Sequence, residues 1–168
     1  NAKNATTMIK LFENSEIDRE KWNRCINESE GTVPYAYSWY LDTVCPSWKA
    51  LIADDYKAVM PLPAFRKYGF DYIATPLFLQ HLGVFSPDGS LRTDIDSFLE
   101  EIPDTFSLID LCTSQNTCLK HYKTNPKFNF ELDLHESYEA LWFNYSTDCR
   151  RNINLSHRYQ QDITEDVN

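Results

Sequence analysis

The period of apolar and polar positions changes several times along this chain, and each change predicts an element boundary. Residues 48–54 and 57–62 are short apolar runs flanking the polar link Asp54-Asp55-Tyr56, which is hairpin spacing. Pro61 and Pro63 are expected to close the second strand, because proline has no N–H to give to a ladder. Two further runs, 70–74 and 80–85, are separated by Thr75-Pro76, and Phe85-Ser86-Pro87-Asp88-Gly89 ends the series with turn chemistry. Upstream, 8–12 is a short apolar strand. Downstream, 105–111 reads as a buried strand, and 127–134 (KFNFELDL) alternates strictly, as a strand with one wet face does.

Helical spacing fills the gaps between these runs. Ser15 is placed to cap a helix from Ile17 to about Ser29, with Ile17, Trp22, Cys25 and Ile26 facing inward. Gly31-Thr32-Val33-Pro34 breaks it, and a second helix is predicted over 35–44, ended by Cys45-Pro46. A third covers 92–102, where Ile95, Phe98, Leu99 and Ile102 form one stripe. From Ser137 the helical period returns through Tyr138, Leu141, Trp142 and Tyr145, with 149–153 as its extension. Residues 1–7, ahead of Met8, read as an expression remnant or a disordered lead-in, and 154–168 as an exit helix or linker.

Composition narrows the function classes. A chain of 168 residues with 42% hydrophobic and 24% charged side chains is one ordinary globular domain, expected to be cytoplasmic. No apolar run approaches the roughly 20 residues of a bilayer span. The net charge of −9 gives no global basic footprint for nucleic acid, so no DNA partner is expected. Five scattered cysteines contain no C-x-x-C pair, which argues against a zinc knuckle, a redox motif or a full disulfide framework. His121, His135 and His157 lie in loop or helix contexts that suggest no metal-ligand set, so no metal is expected. Aromatics make up 14%, enough to line a groove as well as a core.

Several local sequences carry a family resemblance. Tyr35-Ala36-Tyr37-Ser38-Trp39-Tyr40-Leu41-Asp42 is followed by Trp48–Ile52, by Met60-Pro61-Leu62-Pro63 and by Arg66-Lys67-Tyr68-Gly69. Pro76-Leu77-Phe78 and Leu82-Gly83-Val84-Phe85 complete the set. This arrangement resembles the N-terminal half of Fem-type peptidoglycan aminoacyltransferases and the GNAT-like proteins of similar layout in Bacteroidetes bacteria, over about residues 8–153. The resemblance implies an α+β (α/β) GNAT-like domain: a mixed, mostly antiparallel sheet of six or seven strands flanked by helices. It also implies a tandem second, C-terminal GNAT-like domain of the same polypeptide. The Gln/Arg-x-x-Gly-x-Gly/Ala turn that holds a coenzyme-A pyrophosphate in the family is missing here. Gln80-His81-Leu82-Gly83-Val84-Phe85 has the first glycine but places bulky Phe85 where close backbone approach is needed. No cofactor is therefore expected in this chain, and acyl-CoA or aminoacyl-tRNA would serve the full-length protein through the second domain.

Two functions remain open. One is the acceptor-side half of a two-domain acyl- or aminoacyltransferase acting on an amine, such as that of a small molecule or cell-wall precursor. The other is a non-catalytic, degenerate GNAT-fold module that binds a peptide, glycan or protein partner. Trp39, Arg66, Lys67, Gln80 and His81 are the candidate acceptor-binding residues. His81 is either a general base or a locally hydrogen-bonded strand residue. Arg66 and Lys67 either hold an anionic group or sit in a solvated turn. Arg150 and Arg151 mark a donor or partner side, or a solvated helix exit. Catalytic residues cannot be assigned, because no Ser/His/Asp or Cys/His set is brought together by the sequence alone.

Overall fold

The computed structural model describes residues 7–159 except 93, 114–118, 120 and 131, and leaves the side chains of 90 and 92 aside. Almost all of the lead-in at 1–7 and the end of the exit segment therefore lie outside the described residues. The chain divides into two compact units, with the boundary between Thr124 and Asn125. Together they make a mixed α+β protein with two small three-stranded sheets.

In the first unit, β1 (Ile9–Phe12), β2 (Lys49–Ala53) and β3 (Ala58–Leu62) form an antiparallel sheet in that order. Pro61 does not end β3 but lies inside it, opposite Ala50. Val59 exchanges both main-chain bonds with Phe85, at 2.8 Å each, so its polar groups face away from β2. Pro61, two residues on, faces the same way, and its missing N–H takes nothing from the β2 ladder.

Both faces of this sheet are covered, which explains why β2 and β3 are continuously apolar instead of alternating. Ala50 and Ile52 face α1 (Arg19–Glu28) and α2 (Ser38–Val44), packing with Trp22, Ile26, Leu41 and Trp48. Leu51 and Ala53 face the other way, toward Ile73, Phe98 and Leu99. Burying each large aliphatic side chain here contributes about 1.5–3 kcal/mol. Trp22 and Trp48 are fully buried, with ring centroids 4.8 Å apart. The Trp22 indole donates to the Ala36 carbonyl at 3.0 Å, and that of Trp48 to Asp42 Oδ1 at 2.7 Å.

Asp18, not Ser15, caps α1: its carboxylate accepts from the amides of Glu20 and Lys21 at 3.0 and 3.1 Å. Ser15 lies in a preceding 3₁₀ turn, Asn14–Glu16, closed by a Glu13/Glu16 capping box. The helix expected over 35–44 begins as a 3₁₀ turn, Pro34–Ala36, before α2. Of the helix expected over 92–102, Ile95–Glu100 forms as α4, capped by Asp94, and a separate helical turn, α3 (Gly89–Arg92), lies ahead of it.

A second sheet, β4 (Ala64–Lys67), β5 (Phe70–Ala74) and β6 (Phe106–Asp110), replaces the single six- or seven-stranded sheet expected. β4 and β5 are antiparallel, and β5 and β6 parallel. Tyr68 and Gly69 both take positive φ (52° and 86°), the two-residue turn whose twist suits a hairpin. Arg66 and Lys67 are thus strand residues, not turn residues. Phe65 and Tyr72 face each other across the strands with rings stacked at 5.5 Å. β6 is not a buried strand, since Leu108 is exposed.

The run at 80–85 is no regular strand either. It makes two isolated bridges, Val59↔Phe85 (antiparallel) and Leu82↔Thr113 (parallel), the second with a Leu82 N–H to Cys112 carbonyl bond of 2.8 Å. Gly83 lies between them at φ 155°.

The second unit contains α5 (Tyr138–Asn144) and α6 (Thr147–His157), capped by Ser137 and Ser146. The single long helix expected from Ser137 is therefore broken at Tyr145-Ser146, where extended backbone serves as the next cap. Among the described residues, 127–134 forms no strand, and Phe128 and Phe130 are 98% and 93% exposed.

Candidate recognition site

α2 positions the site. Because a helix repeats every 3.6 residues, burying Leu41 in the core turns Trp39 outward and leaves Tyr40 at the boundary. Trp39 is 60% exposed, and its ring stands edge-on to that of Tyr40, centroids 5.4 Å apart. Tyr40 meets Tyr35 edge-on at 6.3 Å, and Tyr35 meets the His81 ring at 5.7 Å. These contacts link Trp39, Tyr40, Tyr35 and His81 in one continuous aromatic shelf. Such edge-to-face pairs contribute about 0.5–1.5 kcal/mol each beyond burial.

The polar atoms lie at its His81 end. The Tyr35 hydroxyl is 3.2 Å from His81 Nδ1 and 3.4 Å from Nε2. A phenol facing an imidazole can give or accept one proton, according to the tautomer. At the Tyr40 end, the hydroxyl donates to the Phe78 carbonyl at 2.9 Å. Phe78 takes φ 70°, a left-handed conformation that costs a bulky aromatic of order 1–3 kcal/mol. Leu79 is buried in the core beyond it, while Leu77 and Phe78 are each 83% exposed. The loop is thus held in a strained shape by the Tyr40 bond and the Leu79 anchor, with two apolar side chains presented to solvent.

Of the five candidate acceptor residues, Trp39 and His81 fall on this shelf, and exposed Gln80 adjoins His81 in the chain. Arg66 and Lys67 fall elsewhere. Arg66 lines a separate groove of about 550 Å³ with Lys49, Glu13 and Phe106, and its Asp71 cross-strand partner lies 3.6 Å away. Lys67 rests over the Tyr68 ring at 5.3 Å. Tyr35 and Tyr40 join the shelf through the aromatic helix sequence. Leu77 and Phe78 were missed as site residues, because a positive φ at phenylalanine has no signature in sequence. Arg150 and Arg151 lie on α6, in the second unit.

Covalent chemistry at the buried thiols is disfavoured. Burial pushes the Cys25 thiol up to about 11, and burial also raises that of Cys45, so neither supplies a thiolate near neutral pH. Among the described residues no group of three or more His, Cys, Asp or Glu gathers as metal ligands, and no helix is long and apolar enough to cross a membrane.

Comparison with family models, with curated proteins and with solved structures finds no match.

Proposed function

We propose that the Trp39–Tyr40–Tyr35–His81 shelf is an acceptor-binding surface, and that the chain is the acceptor-side half of a GNAT-like, Fem-like acyl- or aminoacyltransferase. The observation that supports this reading is the pairing of an exposed aromatic face with a phenol–imidazole contact at its end. The aromatic face suits the apolar side of a sugar ring or an aliphatic amine chain. The imidazole suits the proton that an amine sheds as its nitrogen attacks an acyl carbon: the new C–N bond forms, His81 accepts the proton, the donor's ester or thioester bond breaks, and the proton passes on to the departing oxygen or sulfur, which leaves as alcohol or thiol. In this reading the acyl donor is held by a second half of the polypeptide.

Acyl transfer by the full-length protein, from acyl-CoA or aminoacyl-tRNA to an amine-bearing wall fragment, tests it. His81→Gln is expected to lower kcat by about 10²–10⁴-fold, the usual contribution of a general base. Trp39→Ala is expected to raise KM with less effect on kcat, because it removes ground-state binding. No turnover with either donor in the folded full-length protein contradicts the reading.

One observation favours the binding module instead. Among the described residues His81 meets the Tyr35 phenol and no carboxylate that would orient its ring as a base. Saturable binding of the wall fragment by the full-length protein, without turnover and unchanged in His81→Gln, would identify that module.

A further inference from the structure

The groove beside Arg66 has a chemistry that the aromatic shelf does not use. It lies wholly in the first unit, and its volume of about 550 Å³ falls within the roughly 300–1,000 Å³ of small-molecule sites. Its charged lining is two acids and two bases, Glu13 and Asp71 with Lys49 and Arg66, a local balance of zero in a chain of net charge −9. The two pairs differ. Glu13 and Lys49 are in direct contact, the Lys49 side chain is only 22% exposed, and Glu13 is fixed further by its capping box with Glu16. Arg66 and Asp71 are more exposed, at 71% and 41%, and their 3.6 Å separation is beyond hydrogen-bond distance. An exposed pair of this kind contributes little to stability, so opening it costs little.

The backbone adds a donor at the same place. Ala74 N–H donates to the Pro63 carbonyl at 3.1 Å, and main-chain direction alternates along a strand, so the N–H of Arg66 points away from β5. That open edge of β4 borders the groove, since the Ser47 hydroxyl in its lining donates to the Ala64 carbonyl there at 2.6 Å. Leu11, Phe65 and Phe106 supply an apolar wall. A ligand with one charge meets its own sign in this groove: an anion faces Glu13 and Asp71, a cation Lys49 and Arg66. A zwitterion avoids both penalties when its carboxylate lies on Arg66 and its ammonium on Asp71. It then exchanges one loose ion pair for two charge-assisted hydrogen-bonded ones. An α-amino acid carries both groups on one carbon, which matches the adjacency of Arg66 and Asp71 across a single strand pair. We propose that this groove binds a free α-amino acid, with its head group between Arg66 and Asp71 and an apolar side chain on the Leu11, Phe65 and Phe106 wall. The assignment does not depend on the acyl-transfer reading.

Calorimetric titration of the full chain with leucine, glycine, N-acetyl-leucine and leucinamide tests the assignment. Leucine is expected to bind saturably. Each singly charged derivative is expected to bind at least tenfold more weakly, because N-acetyl-leucine lacks the ammonium and leucinamide the carboxylate. Glycine is expected to bind more weakly than leucine, since it leaves the apolar wall uncovered. R66Q and D71N are each expected to lower leucine affinity at least tenfold while the urea midpoint stays near that of the parent, both side chains being exposed. R66K keeps the charge but loses the fork, so it is expected to bind leucine more weakly than the parent. Absence of leucine binding would overturn the assignment. So would N-acetyl-leucine or leucinamide binding as tightly as leucine, which would reduce the groove to a site for one charge, or unchanged leucine affinity in R66Q or D71N.

Discussion

Residues 49–62 and 127–134 are both patterned as strands, and their fates are opposite. The first pair of runs becomes β2 and β3, with every residue from Ala50 to Ala53 and from Ala58 to Leu62 buried. The second alternates more regularly, yet Phe128, Phe130, Leu132 and Leu134 all remain exposed. An apolar face stabilises only against something. β2 has α1 and α2 on one side and α4 with Ile73 on the other, whereas no described element covers residues 127–134. Periodicity reports that a face exists, and the partner decides whether it folds.

That contrast gives the largest predicted effect. Trp22→Ala or Trp48→Ala removes one of a pair of fully buried indoles and is expected to destabilise by about 3–5 kcal/mol in urea denaturation. Phe128→Ala removes a comparable ring from a 98% exposed position and is expected to change stability by no more than ~0.5 kcal/mol. Comparable losses at the two positions would remove the distinction between the regions.

The second effect concerns pH. Cys25 is buried beneath the first sheet, near the Phe85 carbonyl, and burial holds its thiol at about 11 against an ordinary value of 9.0. A folded-state value above the unfolded one gives stability that is complete below pH 9 and is lost as pH rises from 9 toward 11. The loss is about 1.4 kcal/mol for each unit of difference. Cys25→Ala is expected to flatten this alkaline limb of the urea midpoint, at a separate cost from the lost packing. An equally steep limb in the variant would assign the loss to other groups. The smallest effect is local: Asp18→Ala removes the cap of α1 and is expected to cost about 1 kcal/mol, which Asp18→Ser should largely recover. A loss of similar size from Ser15→Ala would return the cap to Ser15.

The same contrast marks how far the sequence could be read. β1, β2, β3 and β5 and helix α1 are legible because each is a short periodic run bounded by breakers, even where, as in β1 with Ile9 opposite Ala53, the partner lies far along the chain. The split into two sheets was not legible. It depends on Tyr68-Gly69 turning β4 back onto β5, and on 80–85 making two isolated bridges in place of a ladder. At the site, Trp39 and His81 stood out as residue types, but only the fold joins them through Tyr40 and Tyr35. Arg66 stood out because a guanidinium after the paired prolines can hold an anionic group. Its register opposite Asp71 places it in a different groove.

The central claim is that recognition belongs to the aromatic shelf of the well-packed unit. Titrating an amine-bearing disaccharide–peptide wall fragment into the isotope-labelled full-length protein, and following the indole and imidazole ring signals by NMR, tests it most directly. The account predicts saturable shifts of Trp39 and His81, abolished in Tyr35→Ala, while buried Trp22 and Trp48 stay still. Ring signals of Trp39 and His81 that do not move while the fragment binds elsewhere would contradict it.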